Sequence, residues 1–497
     1  MSLYLTFDLG TTSLKTALID DGGRPLAIHT EEYTPETPGP DRVEMRPEVY
    51  WRAVVEGTRA VLSKGSAYSS ALTAIGFSSQ GQTFVPVDRA GRPLYNAIGW
   101  VDNRAQSLCD AWEAAWLSRE KYRRISGYPW LPAGLTLFQV AWLAQHVPQA
   151  HRAWKFLLLP DYIIYRLTGE TATDRVMAQF SGFYNLQTGD WDAGLLAAAG
   201  ITEKQLPRLL EPGAVAGQVT DAVAAELGIP AGLPVCVGAN DQIVGAVGAG
   251  NVHAGIVSET TGTALALIAT TDKLLDDTRI CVGRHALPDA FFVLSFTITS
   301  AIVLKWFRDL CRPGEDYDTF LRGVEAVPPG CEGLTVLPHF AGTASPTFNP
   351  HVRGAFVGLT LGHTRSHIAR AIMEACACML QECLEPLVER SLPIQTIRSL
   401  GGAARNDLWL QMKADLLGVP VERPACSDAA SVGAAALAAA GIGQYASVSE
   451  VADAWYRPAQ VFEPDRSRYD IYREIYARYL TLYERLYAGG AWDAGRA

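Results

Sequence analysis

The sequence has no basic tract, no run of about twenty apolar residues and no CxxC pair, and each absence removes a class of function. Positive charge is the scarcer sign, 42 Lys and Arg against 52 Asp and Glu, for a formal net charge of −10. That balance argues against sequence-wide affinity for nucleic acid or anionic membranes. The start, "MSLYLTF", lacks a basic segment followed by an apolar one, and the Ala-rich "GAAALAAAGIG" at 433–443 is too short and small-sided to span a bilayer, so a cytoplasmic protein is expected. Nine scattered cysteines, with Cys376, Cys378 and Cys383 at spacings that share no helix face, read as buried thiols. His363 and His367 stand four apart on a helical pattern but have no acidic third ligand nearby in sequence, so capping or packing is expected of them. Nucleotide and hydrolase signatures are also missing: G-x-x-x-x-G-K-[ST], Rossmann-spaced G-x-G-x-x-G, G-x-S-x-G and HExxH all fail to occur.

What is present begins with "YLTFDLGTTSLKTALIDD". Leu3, Leu5 and Phe7 alternate with Tyr4, Thr6 and Asp8, and Leu14, Thr16, Leu18 and Asp20 continue the pattern after a turn, which predicts two strands. Gly10 permits close backbone approach, and Thr11, Thr12 and Ser13 offer donors to an anion. A carboxylate beside such a turn repels phosphate unless a cation lies between, so Asp8 points to Mg²⁺ bridging it to phosphate oxygens, with an ordinary polar hairpin as the alternative. A later stretch, "AGIVSETTGTALALIAT", repeats the layout, and "IRSLGGAARNDLWLQMKADLLGVPV" reads as strand, Gly-rich turn and helix. Two such hairpins predict a duplicated α/β architecture with phosphate between the halves. At 497 residues the chain is too long for one core, which agrees with two large domains. Between the hairpins, strands are expected around "ALTAIGFSSQGQTFVPVDRAGRPLYNAIGWVDNR", with a turn at "DRAG", and then helices through "LTLFQVAWLAQHV" and "LLLPDYIIYRLTG".

Asp241 follows the apolar strand "PVCVG" where a helix begins, a place that opens onto the ligand crevice of α/β sheets. It serves either as a helix cap or as the base for phosphoryl transfer to an alcohol. Gln80, Gln82, Trp100, Asp102 and Arg104 gather amide, indole, carboxylate and guanidinium groups suited to a polyhydroxyl ligand, or else Asp102 and Arg104 form a surface ion pair and Trp100 is core.

In order, "FDLGTTSLK", "GFSSQGQTF", "NAIGWVDNRA", "LLLPDYIIYRLTGE", "VGANDQIVGAVGAG", "SETTGTA", "NPHVRGAFVGLTLGHTRSHIARAIMEA" and "LGGAARNDLWLQMKADLLGVPV" resemble the FGGY carbohydrate kinases over nearly the whole chain. Gly354, Phe356, Gly358, Leu359, His367, Ile368 and Glu374 fit the family's second signature. The resemblance implies a two-domain actin-like ATPase (ribonuclease H-like) α/β fold, divided at residues 1–247 and 248–497, with ATP and Mg²⁺ in the cleft and a small sugar or polyol as acceptor. It further implies Asp8 on the metal side and Asp241 as the base. Thr11 and Thr12 would form the first phosphate hairpin, Gly262 and Thr263 the second, and Gly402, Ala403 and Asn406 the adenosine turn. Gln80, Gln82, Trp100, Asp102, Asp241 and Gln242 would hold the acceptor. Departures are visible: Gln139 stands where the first signature carries Lys, and Gly81 and Gln82 replace the Met-His of xylulokinases in "SSQGQTF". Features of the glycerol kinase branch ("NAIGWVDNR", Asp241–Gln242) mix with a xylulokinase-like layout. The expected activity is therefore ATP-dependent phosphorylation of an uncharged ketopentose such as xylulose, with a glycerol, tetritol or pentitol kinase, or a non-kinase actin-like ATPase, as alternatives. A homodimer is an open option, and neither nucleic acid nor membrane is an expected partner.

Overall fold

The computed structural model describes residues 2–65 and 67–488; Met1 and residues 489–497, which belong to the expected first and second domains, lie outside the described residues. Strands β1 (Leu3–Leu9), β2 (Ser13–Asp20), β3 (Pro25–Glu32), β4 (Leu72–Ser79), β5 (Val215–Gln218) and β6 (Pro234–Cys236) form a sheet in the order β5-β6-β4-β1-β2-β3. The hairpin β1–β2 is antiparallel, whereas β1–β4 and β4–β6 are parallel. Alternation along β1 and β2 divides the side chains between two cores. Leu3, Leu5, Phe7, Leu14 and Leu18 pack on helix Pro47–Leu62, while Tyr4, Ala17 and Ile19 face the opposite side.

A second sheet repeats this wiring. Strands β7 (Ile256–Thr261), β8 (Leu265–Thr271), β9 (Cys281–Arg284), β10 (Phe291–Phe296), β11 (Thr396–Leu400), β12 (Val421–Pro424) and β13 (Pro458–Phe462) take the order β9-β10-β8-β7-β11-β12-β13. Here too the polar hairpin β7–β8 is antiparallel and the first strand pairs in parallel with a strand far along the chain, β11. The "DRAG" segment turns as expected, with Gly91 at φ +74° and its N–H bonded to the Asp88 carbonyl at 2.9 Å. "LLLPDYIIYRLTG" differs from the helical expectation. Its start belongs to strand Lys155–Leu158, and the helix begins at Leu159, where Pro160 suits the first turn and the Asp161 carboxylate accepts the Leu158 N–H at 3.0 Å.

After the last parallel strand of each sheet the chain enters a helix, α1 (Asp241–Gly248) and α2 (Ala429–Gly441), and the two cross between the sheets. Contact there is backbone to backbone. A Cβ on Gly248 would stand 1.9 Å from the Ala429 carbonyl oxygen, and one on Gly433 would stand 1.9 Å from that of Val244. Gly76 and Gly441 give α2 the same closeness to the first sheet, since their Cβ atoms would meet the carbonyls of Ala434 and Gly213 at 2.3 and 1.7 Å. This explains the Ala- and Gly-rich composition of 433–443: it lets helix α2 lie flush on strands β1 and β4. Among the described residues no helix is long and apolar enough to cross a membrane. The cysteines are all free and, apart from Cys311 and Cys426, buried.

Gly433→Ala should force the two helices apart and lower stability by about 1–3 kcal/mol, read as a fall in Tm. The substitution Gly443→Ala, at a helix end with open space around it, should cost less and act only through its φ of +76°.

Candidate functional site

The crossing helices aim their N-termini into a cleft between the sheets, and three neighbouring cavities lie along it. The middle one, about 270 Å³, is lined by Asp8, Lys15, Asp241, Ser258, Thr260, Gly401 and Asp428. Asp8 sits at the end of β1, where the Ser78 hydroxyl on the neighbouring strand donates to its Oδ1 at 2.7 Å. Lys15 is paired across the hairpin with Asp8 in register, but its Nζ bonds Asp428 Oδ1 at 2.6 Å. Burial lifts the Asp8 carboxyl above its ordinary range; Ser78 and Lys15 oppose that rise and Asp428 adds to it. Among the described residues no cationic side chain bonds the Asp8 carboxyl directly. Among the described residues no three His, Cys, Asp or Glu side chains converge as a metal site.

Asp241 opens α1, but it is not the cap. Asn240 is, its Oδ1 accepting the Gln242 N–H at 3.1 Å. The Asp241 carboxylate accepts the same N–H at 2.8 Å. Burial, reinforced by the neighbouring Asp8 carboxylate, pushes the Asp241 carboxyl up to about 7. Asp241 and Gln242 line the middle cavity and also the next one, so they stand at the junction of the two.

That next cavity, about 930 Å³, takes in Thr11, Gln80, Gln82, Trp100, Tyr128, Trp130, Phe180 and Asn240 from the first half of the chain and Ala266, Leu294 and Phe296 from the second sheet. Several expected ligand groups already have partners. Gln80 donates from Nε2 to the Gly10 carbonyl at 3.1 Å and accepts from the Thr11 hydroxyl at 3.2 Å. Trp100, 44 % exposed, donates its indole N–H to Thr11 Oγ1 at 2.9 Å. Both residues brace the turn that Asp8 depends on. Thr11 lines this cavity, and Thr12 is exposed at the hairpin tip. Gly10 is required here because a Cβ would lie 2.9 Å from the Ser13 carbonyl oxygen. Gln82, at φ +71°, is held by Tyr128, whose hydroxyl accepts from its Nε2 at 3.4 Å.

Asp102 is a correction. It is fully buried and does not line the cavity; Arg104 grips it through Nε at 2.8 Å and Nη2 at 2.7 Å, while the Val43 N–H donates to it at 2.6 Å. Glu44 completes the network with Arg104 at 2.7 Å. Asp102 and Arg104 do pair, as the alternative expects, but in the interior and not at the surface, and Trp100 is exposed and not core. Gln139 donates to the Asp102 and Ala133 carbonyls at 2.9 and 3.1 Å, so it pins the loop bearing Trp100.

The third cavity, about 600 Å³, brings together Gly262, Thr263, Gly402, Ala403 and Asn406 with Ile302, Lys305, Tyr317 and Arg405. Gly401, at φ +78°, lets this turn press on β7, where a Cβ would come within 3.0 Å of the Thr261 carbonyl. Gly402 faces open space in the cavity. Asn406 caps the following helix, accepting the Trp409 N–H at 2.9 Å. Beneath the hairpin lies a group the sequence reading missed. Fully buried Lys413 bonds Glu259 at 2.5 Å and Thr261 at 3.0 Å, and the Ser399 hydroxyl also donates to Glu259. Lys15 and Asp428 were missed as well, although the hairpin register already places Lys15 opposite Asp8; Phe180, Tyr128 and Trp130 had no sequence signal. His363 and His367 act as turn and cap residues, accepting the Thr360 and Thr364 N–H groups at 2.8 and 3.3 Å.

A wide cavity, a carboxylate-lined middle one and a Gly-rich outer one thus lie side by side. The N-terminal domain of the FGGY family of carbohydrate kinases matches residues 3–248, and the family's C-terminal domain matches 257–442. The chain belongs to the FGGY carbohydrate kinases. A glycerol kinase of Alkalilimnicola ehrlichii is 32 % identical over 99 % of each chain, and a xylulose kinase of Bacillus subtilis is 28 % identical over 97 % of each. The crystal structure of a xylulose kinase from Brucella ovis superposes with a TM-score of 0.91 at 28 % identity, covering 98 % of this chain and 99 % of that one. This FGGY kinase is an ATP-dependent phosphotransferase that acts on a carbohydrate, with the two-domain fold of the actin-like ATPases.

Asp102→Asn should lower thermal stability by about 3 kcal/mol, because it weakens a buried charge network, and leave the acceptor KM nearly unchanged. An acceptor ligand would show the reverse pattern. Lys413→Met, which strands Glu259 without a cation, should cost about 3–5 kcal/mol in a denaturant melt.

Proposed function

We propose that this kinase transfers the γ-phosphoryl group of ATP to a terminal hydroxyl of a small uncharged sugar, a ketopentose such as xylulose in the first instance, with Asp241 as the base. The position of Asp241 at the junction of the acceptor and middle cavities, with its carboxyl pushed up to about 7, carries this reading. A base with that affinity for a proton is about half ionised at neutral pH and able to take a proton from an alcohol as the alkoxide develops. The acceptor oxygen attacks the γ-phosphorus, the bond to the β–γ bridging oxygen breaks and ADP leaves with its electron pair, while the hydroxyl proton passes to the Asp241 carboxylate.

The charge around the acceptor cavity favours a neutral substrate. Asp110, Glu113 and Asp241 face it against one cation, Arg119, which is already bonded to Glu113 at 2.6 Å. A sugar acid would meet net repulsion there. Asn240, Gln82 and Gln242 remain to bond hydroxyl groups near the reacting end. Asp8 suits Mg²⁺, a cation commonly bound through one or two carboxylates, water and substrate phosphates, and among the described residues no cationic side chain bonds its carboxyl directly. The ion would neutralise charge on the phosphate oxygens. Lys15, Thr260 and Gly401 flank the same space, and Gly262, Thr263, Gly402, Ala403 and Asn406 surround the place for the nucleotide. A unit of residues 1–247 bearing Asp8 and Asp241 would close against 248–497, excluding water as the groups align.

Asp241→Asn should lower kcat by about 10²–10⁴-fold while calorimetry still detects nucleotide binding. In the wild type kcat/KM should rise with pH to a plateau, with an apparent pKa near 7. The same shift affects stability. A carboxyl raised from 3.8 to about 7 binds its proton more tightly in the folded state, so its contribution is full below about pH 4 and is lost as pH rises through 7. The Tm of Asp241→Asn should therefore gain on that of the wild type between pH 4 and pH 8, and parallel curves would remove the shifted ionisation. An ATP-to-ADP coupled assay over ketopentoses, pentitols, tetritols, glycerol and gluconate tests the substrate: turnover of gluconate alone would overturn the neutral-acceptor reading.

A further inference from the structure

Lys15 has two carboxylates within reach and bonds one of them. The antiparallel register of β1 and β2 sets it directly opposite Asp8, an arrangement that brings Cβ atoms to about 5 Å and turns both side chains to one face. A lysine ammonium on its flexible stem spans that gap easily. Its Nζ instead lies 2.6 Å from Asp428 Oδ1, and the Asp8 carboxyl accepts from the Ser78 hydroxyl.

Asp428 stands at the head of α2, where a carboxylate ordinarily accepts an N–H of its own helix. Its side chain makes no such cap. One oxygen meets Lys15 and the other accepts from the Ser427 hydroxyl at 3.3 Å. At the head of α1 the opposite holds, since Asn240 does cap its helix. The Asp428 carboxylate therefore serves the lysine and not the helix.

The charges lining the middle cavity make this pairing matter. Asp8, Asp241 and Asp428 face it, and among the described residues that line it Lys15 is the one cation. Lys15 favours the ionised form of Asp8 and Asp428 opposes it, so both lie close enough to act on that carboxyl. A lysine resting on Asp8 would neutralise the charge that draws a divalent cation and occupy the lone pairs that bind it. In the second hairpin Thr260 pairs with Ala266, so neither the carboxylate nor the competing cation is present at that place.

We infer that Asp428 is a positioning residue for the metal-side carboxylate: by holding Lys15 it keeps Asp8 open to a divalent cation. The inference rests on the reading of Asp8 as the Mg²⁺ carboxylate and adds the group that keeps it available. A site that is competent only part of the time binds its ligand more weakly by that fraction, so an Asp8–Lys15 pair formed about nine times in ten weakens the metal about tenfold.

The test reads Mn²⁺ affinity by electron paramagnetic resonance on the full-length enzyme saturated with ADP, with Mn²⁺ as the probe because it shares the oxygen ligands of Mg²⁺. Asp428→Asn, whose amide is able to cap the helix, should weaken Mn²⁺ about tenfold, and Asp428→Glu should stay within about threefold of the wild type. Asp428→Ser, which also caps, takes its place should the Asn variant fail to fold. Lys15→Met identifies the cause: added to it, Asp428→Asn should cost less than about twofold, because no lysine remains to move onto Asp8. An equal loss in both backgrounds overturns the inference, since Asp428 then acts on the cation without the lysine. Unchanged affinity in Asp428→Asn also overturns it, and a loss confined to Asp8→Asn leaves the reading of Asp8 standing. Should Asp8→Asn itself keep the wild-type affinity, both readings fall.

Discussion

Everything in the cleft depends on the contact between two helices that have nothing but hydrogen at their closest point. Gly248 on α1 and Gly433 on α2 let the helices meet through their backbones, at distances no side chain would tolerate. Because they cross there, the first turn of α1 delivers Asp241 and the first residues of α2 bring Asp428 to the same small space beside Asp8. A bulkier crossing would widen the separation of the two sheets, and with it the gap between acceptor and nucleotide. Phosphoryl transfer tolerates such a gap poorly, since most of the catalysis is positioning.

Carboxylates held close in a partly dry cleft raise one another's affinity for protons, and that is the electrostatic signature of the site. Asp8 and Asp241 share it, while Lys15, the cation nearest to hand, is bonded to Asp428. The second sheet answers with a different economy. Its hairpin has Thr260 where the first has Asp8, and its own carboxylate, Glu259, points away from the cleft to Lys413 and Ser399. One hairpin thus turns a carboxylate to the cleft and the other a hydroxyl, although both share a strand pattern.

Much of this was legible in the residues themselves. Strict alternation in "LYLTFDL" and its echo in "IVSETTGTALALIAT" give the two hairpins, because a strand's period is local and glycine lets the chain turn between them. The Gly-rich turn at 401–403 and the strand-to-helix step before Asp241 were legible for the same reason. Partnership was not. Gln80 and Trp100 look like sugar ligands by composition, yet both donate to groups of the first hairpin, and Asp102 is saturated by Arg104 and the Val43 amide deep in the interior. Which of several polar side chains is left free depends on neighbours tens of residues away.

The sequence by itself determined the class of chemistry and the order of its parts, since hairpin, loop, aspartate and Gly-rich turn follow one another along the chain and each is written in local residue choice. Only the tertiary structure decided which groups line the cleft and how strongly each holds a proton. The place of Ala266, Leu294 and Phe296 in the cavity wall arises from strand register, the closeness of Phe180 from a glycine 99 positions before it, and the raised affinity of Asp241 from burial beside an aspartate at the other end of the domain. Each is a long-range contact, and the energy of a charge or a hydroxyl is set by what surrounds it in space.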